Sequence, residues 1–592
     1  MRSDSAKSRQ VESDRERVGS VPPAPRPTAS TITVPQTLEM LDGPFLTVGE
    51  GINKGEYAFW IGSGISRERV EGLDGLLLRL FEYLRARRAE PRFKDALDEV
   101  LGKAELEDGD LAAIDLDIEA QAWPKIGLIL DRLSRRYSSV LNVRVARERP
   151  DFLLWDAIDI RAVYPRAKPP DCEHFCLAIL GLEGVARDIV SANWDGLIES
   201  ALHVLTGDSD SVLKVVVLPA EIRGPGRRIR LIKFHGCAVL AAEDPAVYRD
   251  ALIARETQIE EWPHDPSYTV VRTELESIAV SMPTLMIGLS AQDSNIRATF
   301  YAAKQTMAWA WPSDPPAYVF TCNQLDEKHR LILEIVYRES YELDAAAIES
   351  AALFRAYAKP LLVALVLRVI ASKLKALVRT NASPFVSDLA GLATIDQGID
   401  ALRDEVAERA DGGTLAFVQS FLRGHRRICS LFSAGGEPDV GDMRYRPLTV
   451  TPTDQANVEP GLDTSGVREL ATAISLLGRG HQAGSWQIDV GATPEGTLGA
   501  IRVTGASRQA AVFFAANPSV EAALHRNGLL GRSADAVVIH SSEPAPQKPR
   551  APRAIFGRVG ARGPRHVAMG PLIRGASDVA GAVERFQREA VL

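Results

Sequence analysis

The sequence predicts an α/β protein built on a doubly wound, Rossmann-like parallel sheet with a helical insertion, followed by a helical region and a small C-terminal α/β domain. Two observations support this fold class. Apolar runs of strand length alternate with segments of helical periodicity over residues 50–325, and four of these runs end in a glycine-rich or polar cluster. Such alternation implies right-handed parallel crossovers. The carboxyl ends of parallel strands form the crevice where ligands bind.

Composition sets the class of protein. A chain of 592 residues with 46% hydrophobic and 25% charged residues is expected to form two or three globular domains. The net charge of −8 argues against a dedicated nucleic-acid binder, so nucleic-acid contact is possible but not predicted. The five cysteines lack the spacing of a disulfide framework or a zinc site, which suits a reducing cytoplasm, and no metal is expected.

No membrane segment is predicted. The most apolar helical stretch, residues 360–378, is interrupted by Arg368, Lys373 and Lys375, too early for a span of about twenty apolar residues. Its apolar positions are expected to face a protein core or an oligomer partner. With no secretory signal at the polar N-terminus, we expect a soluble cytoplasmic protein.

In chain order, residues 1–35 are rich in Ser, Arg and Pro and are predicted to be a disordered arm. A strand then runs into Gly62-Ser63-Gly64-Ile65-Ser66. Glycines here would let the backbone pack against a pyrophosphate, with a helix N-terminus supplying unpaired N–H groups; a plain tight turn is the alternative. Residues 91–185 are predicted to be further helices.

Two more strands, 188–192 and 229–234, end in Asn193-Trp194-Asp195 and His235-Gly236. A strand at 284–287 leads into a loop that contains Gly288, Ser290 and Asp293. Each motif is weak by itself: a lone His-Gly is usually a structural turn, and Asp293 could simply cap the following helix. Their polar side chains are nevertheless site candidates, because they follow apolar strands directly.

The four motifs in this order resemble the sirtuin (silent information regulator) family, most closely the divergent prokaryotic branch found in antiphage defence proteins. The resemblance covers residues 50–325 and implies a sirtuin-like NAD-binding catalytic domain at 36–325. It implies that His235 is the catalytic base and that Asn193 orients the attacking water or ribose, with Asp195 fixing backbone or ribose geometry. The implied phosphate contacts are Gly62, Ser63, Gly64 and Ser66, with Ser66 either a phosphate donor or a helix cap, and the implied adenosine contacts are Gly288, Ser290 and Asp293.

The resemblance implies an NAD glycohydrolase that yields nicotinamide and ADP-ribose and depletes NAD in antiphage defence by abortive infection. Deacylating sirtuins carry two Cys-x-x-Cys pairs that this chain lacks. An NAD-dependent deacylase or ADP-ribosyl transferase, a non-catalytic NAD or ADP-ribose sensor, and a nuclease remain as alternatives. The resemblance also suggests a homo-oligomer and, in some systems, a HerA-type ATPase or other defence partner.

Beyond the sirtuin-like stretch, residues 326–434 are predicted to form a helical connecting or oligomerisation region, and 435–461 a linker. Residues 462–592 are predicted to form the C-terminal α/β domain, for which no motif assigns a reaction. A basic, Pro-rich loop follows its last predicted strand, with Lys548, Arg550, Arg553, Arg558, Arg562 and Arg565. Such a loop suits nucleic acid or an acidic protein surface, or it is simply solvated.

Overall fold

A seven-stranded parallel sheet forms the larger half of the protein. The structure is a computed structural model that describes residues 27–165, 168–306, 309–312, 315–380, 387–410, 412–432, 444–489, 501–506, 508–531, 535–541, 563–590 and 592. Its strands are β1 Ala58–Ile61, β2 Asp188–Ser191, β3 Leu213–Val216, β4 Ile229–Lys233, β5 Thr284–Ile287, β6 Tyr318–Thr321 and β7 Leu353–Phe354.

The strand order confirms the predicted doubly wound sheet. It is β3-β4-β2-β1-β5-β6-β7, and every adjacent pair is parallel. The chain builds outward from β1 in both directions, so the order reverses there. That reversal creates a crevice at the carboxyl ends of β1 and its neighbours, where open α/β sheets bind ligands. The two-residue strand β7 was not predicted; it lies in a region expected to be entirely helical.

Helices cover both faces of this sheet. Side chains alternate along β1, so Phe59 and Ile61 face one layer while Ala58 and Trp60 face the other. The first layer contains Val34–Asp42, Leu46–Asn53, Cys172–Leu182, Leu197–Thr206 and Ala358–Thr380. The second contains Glu256–Glu261, Thr269–Ser281, Ser294–Thr306, Glu327–Tyr337 and Glu339–Ala352.

A helical insertion lies over the carboxyl edge of the sheet. Its own core also takes in Trp194 from the loop after β2 and Ala238 and Leu252 from the chain after β4. The insertion therefore covers the crevice instead of extending away from it. The α-helices of this layer are Leu73–Ala86, Pro91–Gly102, Asp108–Ala112, Ile126–Ser134, Tyr137–Leu141, Ile160–Val163, Ala238–Glu243 and Pro245–Tyr248, with a short π-helix at Leu153–Ala157.

The C-terminal half contains a five-stranded mixed sheet. The order is β12-β11-β10-β9-β8, antiparallel from β8 to β10 and parallel from β10 to β12. Its strands are β8 Trp486–Asp489, β9 Ile501–Gly505, β10 Gln509–Ala515, β11 Ala536–His540 and β12 Arg565–Ala568. Further α-helices among the described residues are Leu389–Glu408, Leu415–Phe432, Val467–Gln482, Pro518–Arg526, Met569–Arg574 and Val579–Ala590.

This second sheet shares its core with the end of helix Ala358–Thr380, through Leu374 and Leu377. Strand β12 and the two helices after it were not predicted. Of the predicted basic loop, only Arg565 lies among the described residues, as the first residue of β12. Among the described residues, no helix combines the length and the apolar character needed to cross a bilayer.

Two expected segment boundaries differ from the structure. Residues 27–33, predicted to belong to the disordered arm, include the buried residues Ala29 and Ile32, and Thr33 caps helix Val34–Asp42. Residues 1–26 lie outside the described part. The predicted linker, in its described stretch 444–461, is also packed, with Leu448 and Thr449 buried. In both cases a few apolar side chains anchor a segment whose composition is mostly polar.

A buried ion pair explains why the 444–461 segment is fixed. Lys373, in the middle of the long helix, donates from Nζ to the Glu183 carboxylate at 2.6 Å and to the Thr449 carbonyl at 2.7 Å. The other carboxylate oxygen of Glu183 accepts from the Tyr445 hydroxyl at 2.5 Å and from the Leu448 N–H at 3.1 Å. Both charged side chains are fully buried. Because burial lowers the pKa of Lys373, these partners are what keep its charge stable there.

We predict that Lys373→Met lowers the free energy of unfolding by about 3–5 kcal/mol, since it leaves a buried carboxylate without its counter-ion. The midpoint of urea unfolding measures the effect. The control is Lys375→Met on the same helix, whose partly exposed pair with Asp400 should be worth about 1 kcal/mol or less. Equal unfolding midpoints for Lys373→Met and Lys375→Met would contradict a stabilising ion pair between Lys373 and Glu183.

Candidate functional site

The loops that follow β1 and β5 touch through their backbones. Gly62 N–H donates to the Ile287 carbonyl and Gly64 N–H to the Gly288 carbonyl, each at 3.0 Å. A Cβ on Gly62 would lie 2.5 Å from the Leu289 Cα, and one on Gly64 would lie 2.6 Å from the Gly288 Cα. Gly288 itself has a φ of +64°. Contact with a phosphate is therefore not the only explanation for these glycines. The two loops meet where the strand order of the sheet reverses, and no side chain fits between them.

Ser66 is the polar centre of the β1 loop. It follows the 3₁₀ turn Ser63–Ile65 and is completely buried. Its Oγ lies 3.1 Å from Nε2 of His174 and 3.4 Å from Nδ2 of Asn193. His174 Nδ1 accepts from the Asp171 N–H at 3.1 Å, so Nε2 carries the ring hydrogen and donates to Ser66. Since Ser66 accepts twice, its own hydroxyl hydrogen is available to a ligand.

His174 is held neutral. Burial is the main cause, and it lowers the pKa of His174 to about 4. Asp171 caps helix Cys172–Leu182 and binds Arg69 at 2.7 Å, which fixes the position of the imidazole. From the sequence, His174 was expected only to lie in the helical stretch 91–185 and was not identified as part of the site. Its partner Ser66 is 108 positions away, so no local pattern signals the contact.

The side-chain amide of Asn193 is only partly satisfied. Asn193 follows β2 and is 6% exposed; its Nδ2 donates to Ser66, but its buried Oδ1 has no hydrogen-bond partner among the residues that the structure describes. Exchanging the amide O and N would leave the nitrogen without a partner instead. A buried polar atom without a partner costs about 1–3 kcal/mol, so its persistence points to a group that binds something.

His235 follows β4 and is 2% exposed. The Asn295 amide nitrogen lies 2.9 Å from its Nε2, and an Asp293 carboxylate oxygen lies 3.9 Å from its Nδ1. These neighbours favour the tautomer in which Nδ1 carries the hydrogen and faces Asp293, while Nε2 accepts from Asn295. Burial lowers the pKa of His235, against the opposing effect of Asp293, so the ring is a neutral base near pH 7.

Tyr137, from the helical insertion, fixes Asp293. Its hydroxyl lies 2.9 and 3.0 Å from the two carboxylate oxygens, and it donates to this carboxylate. Burial, followed by the charge of Asp293, raises the pKa of Tyr137 well above its usual value, so the hydroxyl keeps its hydrogen. From the sequence, Asp293 was expected to contact the adenosine or to cap the following helix. The structure places it beside His235, and neither Tyr137 nor Asn295 was predicted.

A contact between His235 and Asn295 spans the crevice. His235 follows β4, whereas Asn295 is the second residue of the helix after β5, and β2 and β1 lie between those strands. The contact therefore reaches across the ends of two strands, and Tyr137 of the insertion donates to the neighbouring Asp293.

The other predicted site residues occupy two kinds of position. Asp195 is buried and accepts from the Leu197 N–H at 3.1 Å, where the next helix begins, so it fixes backbone geometry. Lys233 donates to the Asp195 carbonyl and to Glu199 at 2.8 Å; although burial opposes it, Glu199 raises the pKa of Lys233. Ser63 and Ser290 are exposed on the loops after β1 and β5. Trp194 packs in the core of the helical insertion and donates to the His235 carbonyl at 3.0 Å.

We predict that Gly62→Ala destabilises the protein by about 1–3 kcal/mol, because the new methyl group must push apart two backbone segments. The midpoint of urea unfolding measures this. Gly127→Ala is the matched control: that glycine is exposed in helix Ile126–Ser134, with open space around its Cα. Alanine there should be neutral or slightly stabilising. A Gly62 variant as stable as the control would contradict the close loop contact.

Comparison with known proteins agrees with this geometry. Residues 187–345 match the family described as SIR2-like domain. The matched span includes Asn193, His235, Asp293 and Asn295, while β1 and its glycine loop precede it. A search of curated proteins finds no match. The family match supports a sirtuin-like domain in this chain, and such domains suggest NAD-related activity in general.

Proposed function

We propose that the protein is an NAD glycohydrolase that cleaves the bond between nicotinamide and ribose to give nicotinamide and ADP-ribose. The observation that carries the proposal is the unpartnered amide oxygen of Asn193, buried at the carboxyl edge between Ser66 and the His235 strand. An amide both donates and accepts, so it can hold a water molecule or a ribose hydroxyl. The family match supports the choice of NAD as the substrate.

The proposed chemistry needs little acid assistance. Nicotinamide leaves with the bonding electrons and neutralises its own positive charge, through a transition state with oxocarbenium character. The site must therefore orient the dinucleotide, exclude bulk water and place one water at the anomeric carbon. The buried edge formed by Ser66, Asn193 and His235 suits that requirement.

In this account Asn193 positions the attacking water and the Ser66 hydroxyl donates to the substrate. His235 takes up a proton at Nε2 as the water oxygen bonds to the ribose carbon, and later releases it to solvent. Asp293 then faces the imidazolium at Nδ1 and stabilises its charge. For His235 to act in this way, Asn295 must first release Nε2, so the closed arrangement is a restrained state.

An inactive resting state suits an enzyme that consumes NAD, because other enzymes of the cell need the same NAD. We extend the proposal to a role in antiphage defence, where infection would release the closed site and NAD would be depleted. A homo-oligomer or a HerA-type ATPase partner would be a means of release. The resemblance of the four motifs supports this extension; the cellular experiment below tests it.

We predict that Asn193→Ala and His235→Ala each lower nicotinamide release from NAD by about 10²–10⁴-fold, the usual contribution of a positioned base or orienting group. The full-length chain is assayed in vitro, and cellular NAD is measured by mass spectrometry during phage challenge. His264→Ala, which removes an exposed histidine from the loop after helix Glu256–Glu261, is the control and should retain full activity.

Two results would overturn the proposal. Protection from phage with steady NAD in both site variants would favour a sensor or a nuclease. NAD consumption that requires an acylated or other protein acceptor would favour a deacylase or a transferase.

A further inference from the structure

A second cluster of chemically active side chains lies in the C-terminal domain, away from the sirtuin-like site. His540 is the last residue of β11, and His566 lies on the neighbouring strand β12. Val538 pairs with His566, so His540, two residues further on, lies on the same face of the sheet. Helix Pro518–Arg526 packs on that face and contributes Glu521. Three separate elements thus bring these side chains to one point.

The separations are close to those of ligands around one metal ion. His540 Nε2 and His566 Nδ1 lie 3.0 Å apart, and a Glu521 carboxylate oxygen lies 3.5 and 3.6 Å from them. With metal–ligand bonds of about 2.1 Å, two ligands of the same ion lie about 3.0–3.4 Å apart. Small side-chain rotations would bring all three atoms into that range.

The environment also suits a cation. His540 is completely buried, and the side chains of Glu521 and His566 are 17% and 25% exposed. The cluster is therefore enclosed on the protein side and reachable from solvent at His566. Glu521 supplies the negative charge, and two imidazoles with one carboxylate form a set used for zinc and for other divalent first-row transition metals.

We propose that Glu521, His540 and His566 form a binding site for a divalent transition-metal ion of the zinc class, with the remaining coordination positions open to water. The ion would join β11, β12 and helix Pro518–Arg526. A simple hydrogen bond between the two imidazoles is the competing explanation for their 3.0 Å contact. The two explanations differ in whether the cluster takes up metal. This inference is independent of the proposed NAD chemistry.

The test uses the full-length protein after dialysis against a chelator, titrated with Zn²⁺ by calorimetry and with Co²⁺ by absorption spectroscopy. We expect one zinc ion per chain to bind at this cluster. Because binding to the folded state stabilises it, Zn²⁺ should raise the melting temperature. Glu521→Gln and His566→Gln should each weaken this binding by about tenfold or more and abolish the thermal shift.

Glu521→Gln is nearly isosteric and keeps hydrogen-bonding groups, so it tests the site even if His566→Gln folds poorly. His203→Gln, which removes an exposed histidine from the other half of the chain, is the control and should bind zinc as the native protein does. No stoichiometric zinc uptake, or equal uptake by native protein and both cluster variants, would overturn the proposal and leave the hydrogen-bonded pair.

Discussion

The backbone contact between the loops after β1 and β5 sets the position of everything at the carboxyl edge. Gly62 and Gly64 lie directly against Gly288, with hydrogen bonds between the two loops and no room for a Cβ. Because β1 is where the strand order reverses, this contact fixes the centre of the crevice. Ser66 follows from one side of it, and the loop leading to Asp293 and Asn295 follows from the other.

Two polar networks extend from that contact. One runs from Asp171 through His174 to Ser66 and Asn193, and it uses a neutral imidazole as a fixed donor. The other runs from Tyr137 through Asp293 to His235. The first ends at the unpaired amide oxygen of Asn193 and the second at a neutral imidazole. Both lie at the carboxyl edge of the sheet, where Tyr137 of the helical insertion reaches Asp293.

The features that could be predicted from the sequence are those that depend on short stretches of chain, such as the strands and the polar loops that follow them. Apolar runs marked β1, β2, β4 and β5, and the loops after them contain Ser66, Asn193, His235 and Asp293, which the structure places at one edge of the sheet. Asp293, expected on the adenosine side or as a helix cap, lies beside His235 instead. His174, Tyr137 and Asn295 were missed because their roles arise from contacts with distant partners; Tyr137 and Asp293 are 156 positions apart. The Glu521 cluster was missed for the same reason, since β12 itself had not been predicted.

The most direct test of the central claim is mass spectrometry of the products when the purified full-length chain acts on NAD with no other protein or acyl compound present. The account predicts free ADP-ribose and nicotinamide in equal amounts, and almost no product from Asn193→Ala. ADP-ribose found only on a protein or acyl acceptor, with no free ADP-ribose, would contradict water as the acceptor and with it the glycohydrolase assignment.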